Sequence, residues 1–320
     1  MGAMNLLVTG AGGHVGQAVV ARARARGHRV RALFRGAGDP DAGIEVLRVD
    51  LAADALDAAL DGIDAVIHAA AALTGDEARM RRDTVTATRA LMQAVGRAGV
   101  PRVVLVGSMA VYGTQGLRPG AMVDESTAPE DRPDLRDAYC RTKMAQEGVA
   151  RDAARENGTE LWLMRAGAVW GPEHLWNAHL GLALGPALAR IGAGGEIPLV
   201  HRDRCADALV AAAETAPAGI EVLNLLDADR PDRERYVAAL RRGGWPRIVV
   251  PIPWRALDLA ARVMAPLAPR LPGLLRRPVL RARLMPLRYC DRRLRERLNP
   301  SPAPDFEAAM AAALSDGATT

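Results

Sequence analysis

Short runs of apolar, β-branched residues alternate through the first half of the chain with Ala/Arg-rich stretches of helical periodicity. The apolar runs predict strands over residues 6–9, 29–34, 45–49, 65–68, 102–106 and 161–165. The stretches between them predict helices, among them 15–26 and 83–98. Such alternation predicts a parallel sheet with helices wound on both faces. Several of the strands read as unbroken apolar runs, as strands covered on both faces do. After Gly171 and Pro172 the pattern loosens, and prolines cluster from Pro246 onward, while residues 201–216 and 222–226 return to the earlier pattern. The expected division is a first domain over 1–172, rejoined by 200–226, and a smaller, discontinuous C-terminal lobe from 173–199 and 227–320.

Composition narrows the partners. The chain has 320 residues, 49% of them hydrophobic, which is enough for a substantial core. A net charge of +5 would permit nucleic-acid binding, but only 3% of residues are aromatic and no nucleic-acid motif is present. A small-molecule ligand is expected instead. Cys140, Cys205 and Cys290 are too far apart for a CxxC metal pair or a disulfide framework, so no metal is expected and a reducing, cytoplasmic setting fits. The N-terminus runs almost directly into a strand, without a signal-peptide pattern. No apolar run approaches the roughly 20 residues of a membrane span.

The stretch "TGAGGHVG" at residues 9–16 follows a strand and opens a helix. In that context Gly10 permits a tight turn, Gly13 a close backbone approach to a pyrophosphate, and Gly16 close packing of helix on strand. The helix N-terminus offers N–H groups and partial positive charge to phosphates. Gly10, Ala11, Gly12, Gly13, His14, Val15 and Gly16 are therefore candidate cofactor contacts in a Rossmann-type, doubly wound α/β domain. An acidic residue at the end of the second strand would bind an adenosine ribose. Phe34 stands there instead, followed by Arg35, whose planar fork suits a 2′-phosphate and favours NADP(H) over NAD(H). Asp50, at the end of the third strand, is a candidate contact to adenine.

Tyr139 and Lys143 are spaced i, i+4 and so share one helix face. A neighbouring ammonium is expected to lower the phenol's pKa and let Tyr139 exchange a proton with a substrate oxygen near neutral pH. Ser108, ending a predicted strand, can orient the same oxygen.

The chain resembles the extended branch of the short-chain dehydrogenase/reductase superfamily, the NAD-dependent epimerase/dehydratase family. The resemblance runs in order through "TGAGGHVG", "VDL" at 49–51, "VIHAAA" at 66–71, "VGSMAVYG" at 106–113, "YCRTK" at 139–143, "MRAGAVWGP" at 164–172 and "VHRDRCADAL" at 200–209. It implies Tyr139 as proton donor or acceptor, Lys143 as its partner and a ribose ligand, and Ser108 as the group polarising the substrate oxygen. It also implies that Leu51, Ala69, Ala70 and Ala71 lie along the cofactor, and Ala166, Gly167 and Ala168 beside its nicotinamide. Thr84 stands where the family often has Asn. Met109 and Ala110 replace the Asp-Glu pair of the dehydratases, which removes the evident agent of dehydration. Ile197 stands where sugar-nucleotide epimerases often have a diphosphate-binding Arg. His68 and His201 fall in framework segments and read as structural. His174 and His179, with Trp176 and Asn177 between them, are candidates to line the pocket.

Ten arginines lie between Arg270 and Arg297, interspersed with Leu, Met and Pro. Upstream, Trp254, Leu257, Ala261 and Met264 form an apolar helical stripe, with Arg255, Asp258 and Arg262 off it. Packing of this stripe on the substrate lobe is the expectation; peripheral contact with a membrane surface, or a lid over a pocket for an apolar substrate, are the alternatives. The segments "VPIPWRALDLAARVM" and "CDRRLRERLNPSPAPDFEAAM" resemble the 3β-hydroxysteroid dehydrogenase-like section of the family. These features together point to an NADP(H)-dependent oxidoreductase acting on a secondary alcohol or ketone of a fairly apolar small molecule, such as a natural-product or steroid-like intermediate. A sugar-nucleotide epimerase with tightly held cofactor, or a non-catalytic NADP(H)-sensing or scaffold protein, are the rival readings. A homodimer is a further candidate partner state.

Overall fold

A computed structural model describes residues 2–36, 43–265, 273–301 and 305–317. The predicted strands all form, as β1 (Asn5–Thr9), β2 (Arg29–Phe34), β3 (Glu45–Arg48), β4 (Ala65–His68), β5 (Arg102–Ser108) and β7 (Glu160–Ala166); a short β6 (Met122–Val123), which the pattern did not predict, lies between the last two. The six predicted strands, with β3 at one edge and β12 (Ile220–Leu225) added at the other, make a seven-stranded sheet in the order β12-β7-β5-β4-β1-β2-β3, with every pairing parallel. The sheet members among β1 to β7 exclude only β6. Between β1 and β4 the chain reverses its direction of travel across the sheet, the place where a crevice opens at the carboxyl ends of strands.

Helices cover both faces. On one side α1 (His14–Ala25) packs on α6 (Arg202–Glu214), so residues 202–225 lie against the first sheet. The core on that side joins Val8, Val19, Ile67, Met164 and Leu209. On the other, the short α2 (Asp57–Leu60) and the helices α4 (Ala87–Ala98) and α5 (Ala138–Asn157) bury Leu91, Met92, Val95 and Ala150 against Leu7, Val66, Val103 and Leu163. The predicted helix over 83–98 is not uniform. It is preceded by α3 (Glu77–Met80) and by a π-helical turn, Arg81–Thr86, before α4 proper begins. Such wide turns recur at functional sites.

The remaining elements gather around two smaller cores. β8 (Ala168–Trp170) pairs with β11 (Leu199–His201), and β9 (Gly181–Leu184), β10 (Ala187–Ile191) and β13 (Ile248–Ile252) form a three-stranded sheet. α7 (Arg233–Leu240) and α11 (Phe306–Gly317) pack beside them. The predicted stripe lies on α8 (Trp254–Val263): Trp254 and Ala261 are buried, with Leu257 packed alongside, against Leu280 and Leu284 of α9 (Arg277–Leu284). Near them β14 (Arg288–Tyr289) pairs with β6, and α10 (Arg292–Leu298) follows.

The basic tail is largely neutralised within the chain. Arg277 and Arg281 meet Asp258, Arg283 meets Asp137, Arg293 and Arg297 meet Glu221, and Arg292 and Arg295 meet Glu296 and Asp291. Arg270 lies outside the described residues. Among those described, no helix is long and apolar enough to cross a membrane.

Candidate active site

The glycine-rich turn is built as its spacing requires. Gly10 has φ +67°, and a Cβ there would meet the Ala70 nitrogen at 2.7 Å, so the ends of β1 and β4 approach backbone to backbone. A Cβ on Gly16 would sit 2.0 Å from the Gly10 carbonyl oxygen, which makes glycine the residue that lets α1 rest on the turn. The turn is closed by the Gly13 N–H donating to the Gly10 carbonyl at 2.9 Å, while the Ala11 N–H reaches Leu33 O on β2. The Phe34 ring lies within 3.1 Å of where a Gly12 Cβ would stand.

Above this turn opens a cleft of about 1430 Å³. Of the expected cofactor contacts it is lined by Gly10, Ala11, Gly12, Gly13, Arg35, Asp50, Leu51, Ala69, Ala70 and Ala71. Contributions that local pattern did not reveal come from Asp83 at the π turn and from His201, Arg202 and Asp203 at the start of α6. Gly10 and Gly16 keep the turn pressed against β4 and α1, and Gly10, Ala11, Gly12 and Gly13 line the cleft with little but backbone, so these residues fit a dinucleotide pyrophosphate.

Where the ends of β2 and β3 meet the cleft, the charges are already paired. Arg35 donates to Asp83, and Arg82 bridges Asp83 and Asp50. The Arg82 hydrogen bond, aided by the Ala52 N–H, holds the Asp50 carboxyl below its usual range. Arg35 therefore stands at the cleft, where a 2′-phosphate would require it, but in ion-pair contact with a carboxylate that sequence spacing did not signal.

Other expected contacts are placed differently. Val15 packs against the core beneath the turn, and His14 stacks on His174 with ring centroids 3.9 Å apart. Burial and the neighbouring His174 lower His14 to about 4. His179 bonds to Asn177, and burial brings it down to about 3. Thr84 is fully buried, and its hydroxyl accepts the Ala72 N–H at 3.0 Å, so it steadies the Ala69–Ala72 stretch from behind. A Cβ on Gly167 would meet Pro198 O at 2.5 Å; this glycine answers to the β8–β11 contact. Ala166 pairs with Ser108 across β5 and β7, and the Ala168 N–H bonds Pro198 O. Among the described residues no cluster of His, Cys, Asp and Glu could hold a metal ion.

The three groups expected to do chemistry converge at the end of β5 and the first turns of α5. Asp137 caps α5 by accepting the Cys140 N–H at 2.9 Å. Ser108 is 7% exposed, and its oxygen accepts the Ala110 N–H. The Tyr139 phenol meets the Ser108 hydroxyl, yet its pKa lies above the ordinary value. Burial raises it, and the Ser108 hydrogen bond is the largest opposing influence. The expectation that Lys143 lowers this phenol is therefore corrected for the free protein: desolvation of the phenolate outweighs the charges around it. The Lys143 ammonium is itself buried and brought down to about 8 by desolvation, with Glu147 opposing. It donates to the Val106 carbonyl at 3.0 Å and to Gln146 Oε1 at 2.9 Å.

A parallel seven-stranded sheet, a phosphate cradle at its switch point and a buried Ser–Tyr–Lys set define a dinucleotide-binding protein of the Rossmann type. The profile of the NAD dependent epimerase/dehydratase family matches residues 6–225, and the chain belongs to that family, within the extended short-chain dehydrogenase/reductases. It is 32% identical over 258 residues to a 3 beta-hydroxysteroid dehydrogenase/Delta 5-->4-isomerase of Mycobacterium tuberculosis, covering 71% of this chain and 68% of that protein. Cinnamoyl-CoA reductase 1 of Arabidopsis thaliana is 34% identical over 180 residues, 52% of each chain, so the similarity spans about half the length of that relative. Among solved structures, gox2253 superposes with a TM-score of 0.79 at 24% identity over 98% of both chains. The UDP-glucuronic acid 4-epimerase of Bacillus cereus, solved with NAD, gives 0.74 at 19% identity over 99% of both. These likenesses show the fold.

Proposed function

We propose that this protein is an NADP(H)-dependent oxidoreductase that interconverts a secondary alcohol and a ketone on a fairly apolar small molecule. The observation that carries the reading is the convergence of Ser108, at the end of β5, with Tyr139 and Lys143 on the first turns of α5: the Tyr139 phenol meets the Ser108 hydroxyl, and the Lys143 ammonium donates to the Val106 carbonyl of the same strand. The nicotinamide, when bound, supplies or receives the hydride. The protein supplies position and the proton. In the reductive direction Tyr139 donates its phenolic proton to the carbonyl oxygen, while Ser108 donates a hydrogen bond that holds that oxygen in place. A phenol raised by burial keeps its proton at neutral pH and is a competent donor. The Lys143 ammonium, near the charge that develops on Tyr139, stabilises it.

Arg35 at the cleft mouth supports NADP(H) as the preferred cofactor. The substrate class rests on what stands in place of polar groups. Ile197 is fully buried where an epimerase would need a guanidinium, and Met109 with Ala110 follows Ser108 without a carboxylate. The names of the relatives, a hydroxysteroid dehydrogenase and a cinnamoyl-CoA reductase, agree with an apolar group at the reacting end.

A thermal-shift panel tests the substrate class, since a ligand that binds only the folded state raises its stability. With NADP⁺ present, steroid-like or aromatic ketones and alcohols should raise the melting temperature. Stabilisation by UDP- or dTDP-sugars alone would replace this reading with epimerisation.

A further inference from the structure

Lys143 is the sole lysine among the chain's 42 lysines and arginines. A four-carbon stem with a point charge at its tip holds no fixed direction by itself, so what aims this ammonium matters. Gln146, fully buried one turn along α5, takes one of its protons on Oε1. The Gln146 amide in turn donates through Nε2 to Thr88 Oγ1 of α4 at 3.0 Å.

The direction of these bonds follows by counting protons. The Thr88 hydroxyl has a single proton, and it goes to the Thr84 carbonyl at 2.6 Å. Thr88 Oγ1 must therefore accept from both Gln146 Nε2 and His68 Nε2, the latter 2.8 Å away. His68 then carries its proton on Nε2, and its Nδ1 accepts from Thr9 Oγ1 at 2.6 Å. Burial, with the Lys143 charge adding to it, lowers His68 to about 3, so the ring stays neutral. Were the Gln146 amide turned over, its NH₂ would face the ammonium, and its oxygen would face a hydroxyl whose proton is already spent. The network thus admits one orientation, with the amide oxygen toward Lys143.

We propose that Gln146 is a positioning residue: locked by Thr88, it fixes the Lys143 ammonium and leaves its third N–H for the cofactor ribose. The role of Lys143 rests on the function proposed above. The lock reaches across four elements, from Thr9 at the end of β1, one residue before the phosphate turn, through β4 and α4 to α5. Thr84 enters the lock through its carbonyl, which takes the Thr88 proton, while its hydroxyl accepts the Ala72 N–H.

The groups facing Lys143 are few. On α5 these are Gln146 and Glu147, whose carboxylate is bonded to Arg165 of β7. From β5 comes the Val106 carbonyl, and from β4 the neutral His68. A neutral amide acceptor stabilises the ammonium without neutralising it, which a carboxylate at 146 would do.

With one lysine in the chain, protein grown on ε-¹³C-lysine gives a single side-chain resonance, and its pH titration needs no turnover and no cofactor. Gln146→Leu should lower the Lys143 midpoint by about one pH unit, the scale of a hydrogen bond to a charged group. Gln146→Glu should raise it by at least as much. Thr88→Ser should titrate like the parent, and Thr88→Val should follow the Leu variant. A structural role alone would not move the Leu and Glu midpoints in opposite directions. Midpoints unchanged in both variants overturn the proposal; if the Leu variant does not fold, an unchanged midpoint in Gln146→Glu does so alone. Because the titration is read without catalysis, its outcome is separate from whether Tyr139 is the proton donor.

Discussion

The reading of Arg35 can be tested by separating the charge it would recognise from the charge it now holds. Its side chain is 58% exposed and paired with Asp83, whose own side chain is only 8% exposed. A 2′-phosphate entering the cleft competes with Asp83 for the guanidinium. The gain from a hydrogen bond to a charged group is about 1.5–3 kcal/mol. The ion pair it disturbs, being largely solvated at the Arg35 end, is worth about 0.2–1 kcal/mol. The difference centres near 1.5 kcal/mol, or about tenfold in affinity. Arg35→Ala should therefore weaken NADPH binding by about tenfold and leave NADH nearly unchanged. Asp83→Asn should do the reverse: with its competitor neutral, Arg35 is released to the phosphate, and NADPH should tighten severalfold while NADH again stays put. Isothermal titration of both cofactors against the parent and both variants, at one ionic strength, measures all of this. Equal losses for NADH and NADPH in Arg35→Ala would show that the residue does not discriminate between them. An unchanged NADPH affinity in Asp83→Asn would show that the carboxylate is no competitor.

Other consequences are open to simple measurements. Tyr139→Phe keeps the ring and removes the proton, so turnover with any accepted ketone should fall by about 10²-fold or more with cofactor affinity little changed; near-parental turnover would remove Tyr139 from the mechanism. Gly16→Ala places a methyl 2.0 Å from the Gly10 carbonyl oxygen, where only backbone can yield, so stability should drop by about 1–3 kcal/mol, with loss of cofactor binding seen in the same melts. His68 is brought to about 3 by burial, and its unfolded value is about 6.5. The folded state then binds fewer protons than the unfolded one below that pH, so stability should be complete above it and fall as the pH drops towards 3. The His68 share of the slope is at most about 1.4 kcal/mol per pH unit, and denaturant titrations of a His68→Asn variant should show it missing.

Much of the site was legible in the sequence because it is made by local rules. The residues 9–16 declare a strand, a turn with φ above zero at Gly10 and a helix that must pass against that turn, and each demand falls on a residue a few positions away. The i, i+4 spacing of Tyr139 and Lys143 places them on one helix face wherever that helix packs. Unbroken apolar runs gave the strands to within a residue or two, since a strand buried on both faces has no polar alternation to blur it. What the tertiary structure decided lies between distant residues. Asp83 meets Arg35 across 48 positions, and Gln146 meets Thr88 across 58. In the sequence, Thr88 and Gln146 are single polar residues in Ala/Arg-rich helices, and nothing in their spacing marks them as partners. Only the packing of α4 on α5 withdraws them from water, and a buried amide and hydroxyl must then find partners in each other. The same burial reversed the expectation for Tyr139. A charge one helical turn away favours the phenolate, but the sequence does not say how dry the phenol will be, and that dryness is set by the elements folded around it.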